Sequence, residues 1–326
     1  MQAIQIAQHG GPEVLELKTV NRPVFDPSSP EHCGQVLVKT EAIGVNFIDT
    51  YMRSGLYPFK VPGIPGQESS GVVVAVGDAV SGLCVGDRVA GMGPAQYAQY
   101  VVLEQTKACK LPNAITCEQG AAALLQGMTA LSLVRLTYRV EPGDWVLVHA
   151  GAGGTGGLLV QLCHHFGAKV IATVSTPAKA AIAKAHGADH VIQYTMADTE
   201  QEVKRLTQGN GVQVVYDGVG KATFMASIAA AAQNGRVVVF GNTSGKVDPI
   251  DVMCLTPKNL TLARPSLFGY IAEPSKFADL SLNVFLLMSQ GHLCVTVGKT
   301  YPLADAAQAH RDLQSGKTTG KLLLIP

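Results

Sequence analysis

The stretch Asp144-Trp145-Val146-Leu147-Val148-His149-Ala150-Gly151-Ala152-Gly153-Gly154-Thr155-Gly156-Gly157 decides the fold of this chain. Residues 145–149 form an apolar strand pattern that runs directly into a glycine-rich turn, and a helical pattern follows over 155–166. The glycines are spaced as G-x-G-x-x-G, which suits a tight turn, a backbone close to a pyrophosphate, and a helix packed on the strand. The pattern predicts a dinucleotide site whose contact residues are Gly153, Gly154, Thr155 and Gly156.

The composition is that of a compact globular protein. Of the 326 residues, 47% are hydrophobic and 15% charged, and the formal net charge is +1 with no run of like charges. This balance argues against nucleic acid or a membrane surface as the main partner. No apolar stretch approaches the roughly 18 residues that span a bilayer, and the N-terminus does not read as a signal peptide. The seven cysteines form no C-x-x-C pair, which favours reduced thiols and a cytoplasmic protein.

Two domains are expected from the order of secondary structure. The first third is β-rich, with a hairpin within 1–17, strands at 35–40, 71–76 and 86–90, and a helix over 120–136. Strands then alternate with helices, which predicts a doubly wound parallel sheet. The strands are at 145–149, 169–174, 191–192, 213–216 and 236–240, and the helices at 155–166, 177–186, 200–207 and 223–232. After Asn259 a strand, a helix (275–290) and a last strand (321–325) are expected to return to the first domain. The predicted dinucleotide domain is 123–265, and 1–122 with 266–326 form the other.

The second strand of the predicted dinucleotide domain favours NADPH over NADH. An acidic residue at its end would bind the adenosine 2′-hydroxyl of NAD, but this strand ends in Ser175, and the next acid, Asp189, lies beyond the following helix. Thr176 is a predicted N-cap. Lys179 then lies in the first helical turn, where both helix dipole and side-chain charge favour a 2′-phosphate. The alternative for Lys179 is an ordinary solvated lysine.

Two further residues follow predicted strands. Tyr194 follows the third strand and is a candidate to stack on the adenosine, although a surface aromatic explains it equally well. Asn242 follows the strand 236–240, at the end where such sheets bind ligands, or is an ordinary turn residue.

Over essentially its whole length the chain resembles the quinone oxidoreductases related to zeta-crystallin, in the zinc-free branch of the medium-chain dehydrogenase/reductase superfamily. The most specific matches are the segments 9–15 (HGGPEVL), 44–51 (GVNFIDTY) and 264–266 (RPS), and the glycine fingerprint over 143–161 is nearly complete. His164 departs from the Lys, Arg or Ser that usually ends this fingerprint. The resemblance implies a Rossmann domain with a doubly wound parallel sheet and a β-rich GroES-like catalytic domain.

Zinc is not expected. Zinc-dependent alcohol dehydrogenases share this order of domains and bind their catalytic metal through Cys and His side chains. Gln67 stands where those enzymes carry a histidine, and the segment 44–51 contains no cysteine. The four cysteines of a structural zinc lobe are also missing, since Cys109 is the only cysteine between Arg88 and Leu111.

The resemblance implies transfer of hydride or single electrons from NADPH to a quinone without flavin or metal. Negative charge that grows on the substrate oxygen then needs preorganised donors. Asn46, Tyr51 and Arg264 match family positions that line the substrate cleft and can supply them, and Asp49 is expected to orient Arg264 or the tyrosine. The alternatives are that Asn46 and Asp49 cap a helix, Tyr51 is a packed aromatic, and Arg264 is a surface charge.

The family also implies cofactor contacts elsewhere in the chain. These contacts are Asn46, Tyr51, Thr129, Val219, Phe240 and Lys317. Either Lys179 or Lys317 could hold the 2′-phosphate, and Lys179 is preferred.

Other functions stay open. A reductase of α,β-unsaturated carbonyls needs the same donors with a narrower pocket. An NADPH-binding structural or RNA-binding protein is the third reading, because relatives include a lens crystallin and AU-rich RNA binders, but the chain has no basic stripe. A homodimer is implied by the resemblance alone, through edge pairing of the dinucleotide domains' sheets.

Overall fold

The computed structural model describes all residues from Met1 to Pro326. Contacts between residues divide the chain into two compact units. The first unit comprises 1–126, 273–291 and 295–326, and the second comprises 127–272 and 292–294. The first division lies four residues from the predicted bound at 122 and the second lies seven residues from the predicted bound at 265, while 292–294 fall in the unit opposite to the predicted one. The division into two independent domains stays a prediction.

The elements alternate as expected for a mixed α/β chain. The strands are β1 (Gln2–Gln5), β2 (Glu16–Thr19), β3 (Gln35–Val45), β4 (Glu68–Val76), β5 (Arg88–Met92), β6 (Tyr100–Glu104), β7 (Ala108–Lys110), β8 (Trp145–Val148), β9 (Lys169–Val174), β10 (His190–Gln193), β11 (Val212–Asp217), β12 (Ala231–Val239), β13 (Thr261–Ala263), β14 (Val297–Pro302) and β15 (Lys321–Ile325). The α-helices are α1 (Phe47–Arg53), α2 (Cys117–Ser132), α3 (Gly154–His165), α4 (Pro177–Ala185), α5 (Thr199–Leu206), α6 (Phe224–Ala230), α7 (Leu267–Tyr270), α8 (Pro274–Ser289) and α9 (Ala306–Gln314). None of the helices is both long and apolar enough to cross a bilayer.

The second unit is built on one parallel sheet of six strands, in the order β10-β9-β8-β11-β12-β13. Its strands are nearly continuous apolar runs, as expected when both faces of a sheet are covered. The order reverses between β8 and β11, and ligands of such sheets bind at the carboxyl ends of the strands beside this point. The predicted fold class, a doubly wound Rossmann sheet with a β-rich GroES-like part, is confirmed.

The first unit is built on a seven-stranded sheet around the long strand β3, which pairs antiparallel with β15, β4 and β6. Because β15 and β4 both run antiparallel to β3, their first residues lie beside its last residues. This places Lys321, Glu68 and the end of β3 next to one another. The small hairpin β1–β2 packs its apolar side chains into the same unit.

Two expectations about the later part of the chain are wrong. The predicted helix 223–232 is α6 (Phe224–Ala230), and the strand expected at 236 already begins at Ala231, whose backbone is extended (φ −66°, ψ 144°) and pairs with Val212 of β11. Pairing with β11 therefore overrides the high helix propensity of this alanine run. The strand after Asn259, β13, does not return to the first unit but pairs with β12 and completes the parallel sheet.

Candidate active site

The glycine turn after β8 is packed tightly against the protein's own backbone and side chains. A side chain on Gly156 would collide with the carbonyl of Ala150, and one on Gly151 would lie 2.7 Å from the Cβ of Ala172. Gly153 is the N-cap of α3 and provides no side-chain cap. The first-turn amides of a helix lack carbonyl partners within the helix and form an anion site. Gly153, Gly154, Thr155 and Gly156 are therefore placed as a phosphate cradle requires.

The end of β9 has the polar arrangement predicted from sequence. Thr176 caps α4, and its hydroxyl accepts a hydrogen bond from the Lys179 amide at 3.3 Å. Lys179 is half-buried, and this burial lowers the pKa of its ammonium. Asp189 accepts a hydrogen bond from the amide of Val170 at 2.7 Å, near the opposite end of the strand from Ser175. Asp189 therefore does not lie at the end of β9, where a carboxylate would bind the ribose 2′-hydroxyl.

Three of the other predicted cofactor residues of the second unit follow the carboxyl ends of β10 and β12. Tyr194 follows β10 with 52% of its surface exposed. Phe240 follows β12, and its ring lies so close to Gly218 that a Cβ there would be 2.8 Å from Cζ. Asn242 lies in the turn after Phe240, and its carbonyl accepts the Gly245 amide. Thr129, on α2, is half-buried, and its carbonyl accepts the Ser132 hydroxyl.

A buried chain of hydrogen bonds crosses the ends of β9, β8 and β11. Ser227 Oγ donates to Asp217 Oδ2 at 2.7 Å, so its oxygen accepts from His149 Nε2 at 3.1 Å, and His149 Nδ1 accepts from Thr173 Oγ1 at 3.0 Å. Burial lowers the pKa of His149, which keeps the ring neutral. Asp217 also accepts the amide of Val219 at 2.9 Å. The chain thereby shapes the turn that carries Val219, a predicted cofactor residue.

Arg264 follows β13 and is exposed. Its Nη1 donates to the carbonyls of Val239 at 2.9 Å and Gly241 at 3.3 Å, at the end of the adjacent strand. The guanidinium therefore also belongs to the edge at which the other candidate cofactor residues lie.

Asn46, in the first unit, has its amide committed to buried partners. Lys321 Nζ donates to Asn46 Oδ1 at 2.7 Å, and Asn46 Nδ2 donates to Glu68 Oε1 at 2.7 Å. Lys321 and Glu68 also form a close ion pair in which both side chains are almost fully buried. The second carboxylate oxygen of Glu68 accepts the Leu125 amide at 2.7 Å. The side-chain amide of Asn46 is thus part of the protein core and not of an exposed surface.

Asp49 accepts the backbone N–H of Asn46 at 2.8 Å, so the two residues cap α1, as the alternative reading of the sequence proposed. The tyrosine that Asp49 binds is Tyr97, at 3.0 Å, and not the predicted Tyr51. Tyr97 also contacts His310 Nε2 at 3.0 Å, and His310 Nδ1 contacts Arg53 at 3.0 Å. Burial raises the pKa of Asp49 to about 7. Burial and then the charge of Arg53 lower the pKa of His310 to about 3.

Tyr51 lies on α1, is half-buried, and packs between two aromatic rings. Its ring centroid is 6.2 Å from that of Phe47 and 5.2 Å from that of Tyr57. Lys317 is exposed in the turn before β15, where its amide donates to Ser315 Oγ. Lys179 and Lys317 lie in different units, and which of them holds a phosphate stays a prediction.

The residues present do not fit a catalytic zinc ion. No group of three or more His, Cys, Asp or Glu side chains is arranged to hold a metal. The amide of Gln67 donates to the Gly66 carbonyl at 3.1 Å and to the sulfur of Met52. Its neighbour Glu68 is bound by the Lys321 ammonium, a cation that already neutralises the carboxylate.

Several polar residues of these sites are not predicted by the sequence patterns. They are Tyr57, Glu68, Tyr97, His310 and Lys321. Glu68 and Lys321 stand at the starts of strands whose pairing brings them together across 253 positions. Only a long-range contact prediction could find such pairs.

A Rossmann sheet with a glycine cradle, together with a GroES-like unit, defines a medium-chain dehydrogenase/reductase. Residues 32–135 match the model of the alcohol dehydrogenase GroES-like domain, and residues 154–283 match that of the zinc-binding dehydrogenases. A quinone oxidoreductase of Pseudomonas aeruginosa is 41% identical over 99% of both chains. The 2-haloacrylate reductase of a Burkholderia species is 37% identical over 100% of this chain and 99% of its own.

The structure of Escherichia coli quinone oxidoreductase complexed with NADPH has a TM-score of 0.94 to this chain, at 40% identity over 100% of both. The chain belongs to the quinone oxidoreductase family of the medium-chain dehydrogenase/reductase superfamily.

Proposed function

We propose that the protein is an NADPH-dependent quinone reductase. The observation that carries this proposal is the group of predicted cofactor residues at the carboxyl ends of the strands of the second unit, in a chain that matches quinone oxidoreductases from end to end. This group is called the cofactor edge and comprises 153–156, Ser175, Lys179, Val219, Phe240 and Asn242. Bound NADPH supplies the hydride, or single electrons, for reduction. The protein's own residues bind the cofactor, orient the substrate and stabilise charge.

The cofactor fits the residues of the second unit. The amides after Gly153 bind the pyrophosphate, because the first-turn N–H groups of α3 have no carbonyl partners within the helix. Lys179 binds the 2′-phosphate beside Ser175, where a carboxylate would repel it. Val219 and Phe240 line the same edge of the sheet. The fit favours NADPH over NADH.

Charge on the reduced quinone oxygen requires donors, and the chain offers two at family positions. Tyr51 contributes a phenolic hydroxyl and Arg264 a guanidinium, and both groups donate hydrogen bonds. Asn46 and Asp49 take another role, because their polar atoms bind within the protein. No side-chain general acid is required, since a reduced quinone takes its protons from water.

Steady-state assays of the purified protein test this function. NADPH and NADH are each supplied with an ortho-quinone, a para-quinone and a 2-alkenal. Quinone-dependent oxidation of NADPH, faster than that of NADH, is expected. NADPH oxidation with the alkenal and with neither quinone would contradict the proposal. Tight NADPH binding without any turnover would favour a structural or RNA-binding protein.

The second candidate is a reductase of activated carbon–carbon double bonds. The full-length match to a 2-haloacrylate reductase favours it specifically. Such a substrate places its negative charge on a carbonyl or carboxylate oxygen, for which the same donors serve. The alkenal arm of the assay, repeated with 2-chloroacrylate, separates it from quinone reduction.

We also propose a cytoplasmic homodimer. All seven cysteines are free, as expected in a reducing compartment. The short strand β13 is an edge of the six-stranded sheet, and an edge strand can pair with a second copy. Light scattering should give about twice the 34.1 kDa of one chain, and Thr261→Pro on this edge should shift the mass towards the monomer.

A further inference from the structure

Asn46, at the start of α1, is held by two separate sets of buried polar groups in the first unit. Lys321 and Glu68 hold its side-chain amide, while Asp49 holds its backbone N–H. The first set comes from the starts of β15 and β4, and the second comes from α1 itself and is bonded to Tyr97. One residue therefore joins the sheet to the helix.

The orientation of the Asn46 amide is fixed by chemistry. An ammonium group only donates, so the atom that Lys321 contacts must be the amide oxygen. The amide nitrogen then donates to Glu68 and, at 3.3 Å, to the Gly44 carbonyl. With only 3% of the residue exposed, the amide has no capacity left for a substrate oxygen.

The hydrogen bonds of the second set can be assigned donors and acceptors in one direction only, from Arg53 to Asp49. The guanidinium of Arg53 only donates, so His310 Nδ1 accepts and its Nε2 carries the proton. Nε2–H donates to Tyr97, whose own hydroxyl proton is left for Asp49. Arg53 is the last residue of α1 and also donates to the carbonyl of Gly10 at 3.2 Å. Both ends of the helix are therefore fixed to the rest of the unit.

A helix as short as α1 needs such anchors. It has seven residues, and isolated helices of this length do not persist in water. Tyr51 lies between the two anchored ends, Asn46 and Arg53. The Tyr51 hydroxyl therefore has a fixed position only when α1 has a fixed position.

We propose that Glu68, Lys321, Tyr97 and His310 are positioning residues for the reductase, which hold both ends of α1 and thereby the hydroxyl of Tyr51. The proposal rests on the proposed function, in which Tyr51 donates to the substrate oxygen. Asn46 and Asp49 then act through the helix and do not contact the substrate.

Tyr97→Phe tests the proposal with the smallest change. It deletes the hydroxyl that links His310 to Asp49 and keeps the ring. Tyr301→Phe is the matched control, because Tyr301 is also buried in the first unit and its hydroxyl binds the carboxylate of Asp312 at 2.6 Å, which forms no hydrogen bond with a residue of α1. We expect kcat to fall by roughly tenfold to a hundredfold in Tyr97→Phe, since a misplacement of about 1 Å can cost a hundredfold, with the NADPH Kd unchanged. Tyr301→Phe should keep its kcat.

A second variant reaches the start of α1 by the other route. Lys321→Met with Glu68→Gln removes both charges together, so that no unpaired charge stays buried if the single variants fail to fold. Hydrogen exchange of the α1 amides should be faster than in the wild type in both the double variant and Tyr97→Phe, and unchanged in Tyr301→Phe.

Equal kcat in Tyr97→Phe and Tyr301→Phe, or unchanged exchange of α1 in the two network variants, would overturn the proposal. The exchange measurement needs no turnover, so it separates this outcome from failure of the proposed function. If the wild type reduces an alkenal and no quinone, the function is wrong while the kcat comparison is made with the alkenal.

Discussion

The two units each contain a buried chain of a histidine, a hydroxyl and an aspartate, and the chains differ in charge. In the second unit a neutral threonine starts the chain that passes through His149 and Ser227 to Asp217. In the first unit the donor is Arg53, and the chain passes through His310 and Tyr97 to Asp49. The same order of groups therefore lies between strand ends in the second unit and beside α1 in the first unit.

The ends of the two chains are satisfied to different degrees. Asp217 accepts hydrogen bonds from Val219 N, Gly220 N, Thr223 Oγ1 and Ser227 Oγ. Asp49 accepts from Asn46 N and Tyr97, and its Oδ1 has no partner within the protein. Buried carboxylates need donors to offset lost hydration. The turn that carries Val219 therefore rests on saturated hydrogen bonding at Asp217, whereas α1 depends on a few charged contacts.

Removal of one charge from the first unit should have the largest effect on stability. Lys321→Met leaves the Glu68 carboxylate buried without its cation, and breaking a buried pair in this way costs about 3–5 kcal/mol. Urea unfolding measures this loss. Adding Glu68→Gln should restore most of it, because a neutral pair carries no uncompensated charge. A double variant as unstable as the single one would show that packing of the lysine stem, and not charge, stabilises this region.

The pH dependence of stability should differ between Asp49→Asn and the wild type. Because the folded pKa of Asp49 is about 7 and above its ordinary 3.8, the folded wild type holds an extra proton between about pH 4 and 7. This contribution is lost as the pH rises through that window. The variant lacks the loss, so its stability relative to the wild type should rise with pH, by at most about 1.4 kcal/mol per pH unit.

His310 opposes Asp49 in the wild type. Its folded pKa of about 3 lies below the ordinary 6.5, so its contribution is present above pH 6.5 and lost as the pH falls. The two pH dependences of stability cancel between about pH 4 and 6.5 in the wild type. In Asp49→Asn only that of His310 remains. Asp312→Asn is the control, since the pKa of Asp312 is lowered to about 2 by its bond from Tyr301. That variant should lose its relative stability as pH rises through 2–4, and a slope of the same sign as Asp49→Asn would contradict this account.

Deletion of the middle hydroxyl in each chain compares the two units directly. Tyr97→Phe leaves Asp49 with one donor, and the expected loss is about 2–3 kcal/mol. Ser227→Ala leaves Asp217 with three donor groups, and the expected loss is about 1 kcal/mol. Calorimetry of both variants gives the order. A larger loss in Ser227→Ala would mean that donor count does not decide the cost of these bonds.

The sequence predicts what depends on neighbouring residues. Thr176 and Lys179 lie three positions apart, and the cap between them is confirmed. The glycine cradle and the alternation of strands and helices are also local patterns. The chain from Tyr97 to His310 spans 213 positions, and no periodicity links the two. The end of α6 at Ala230 is likewise set by the pairing of β12 with β11 and not by any helix-breaking residue.

Lys179, at the cofactor edge, should control the choice between NADPH and NADH, and it belongs to neither of the two buried hydrogen-bond chains. Lys179→Ala removes the charge proposed to bind the 2′-phosphate, and a charged hydrogen bond of about 1.5 kcal/mol corresponds to roughly tenfold in affinity. Fluorescence titration should therefore show a weaker NADPH Kd, an unchanged NADH Kd and an unchanged free energy of unfolding. Lys184→Ala, in the last turn of the same helix, is the matched control and should change none of the three. Equal losses for NADPH and NADH would remove Lys179 from the phosphate and direct the same experiment to Lys317.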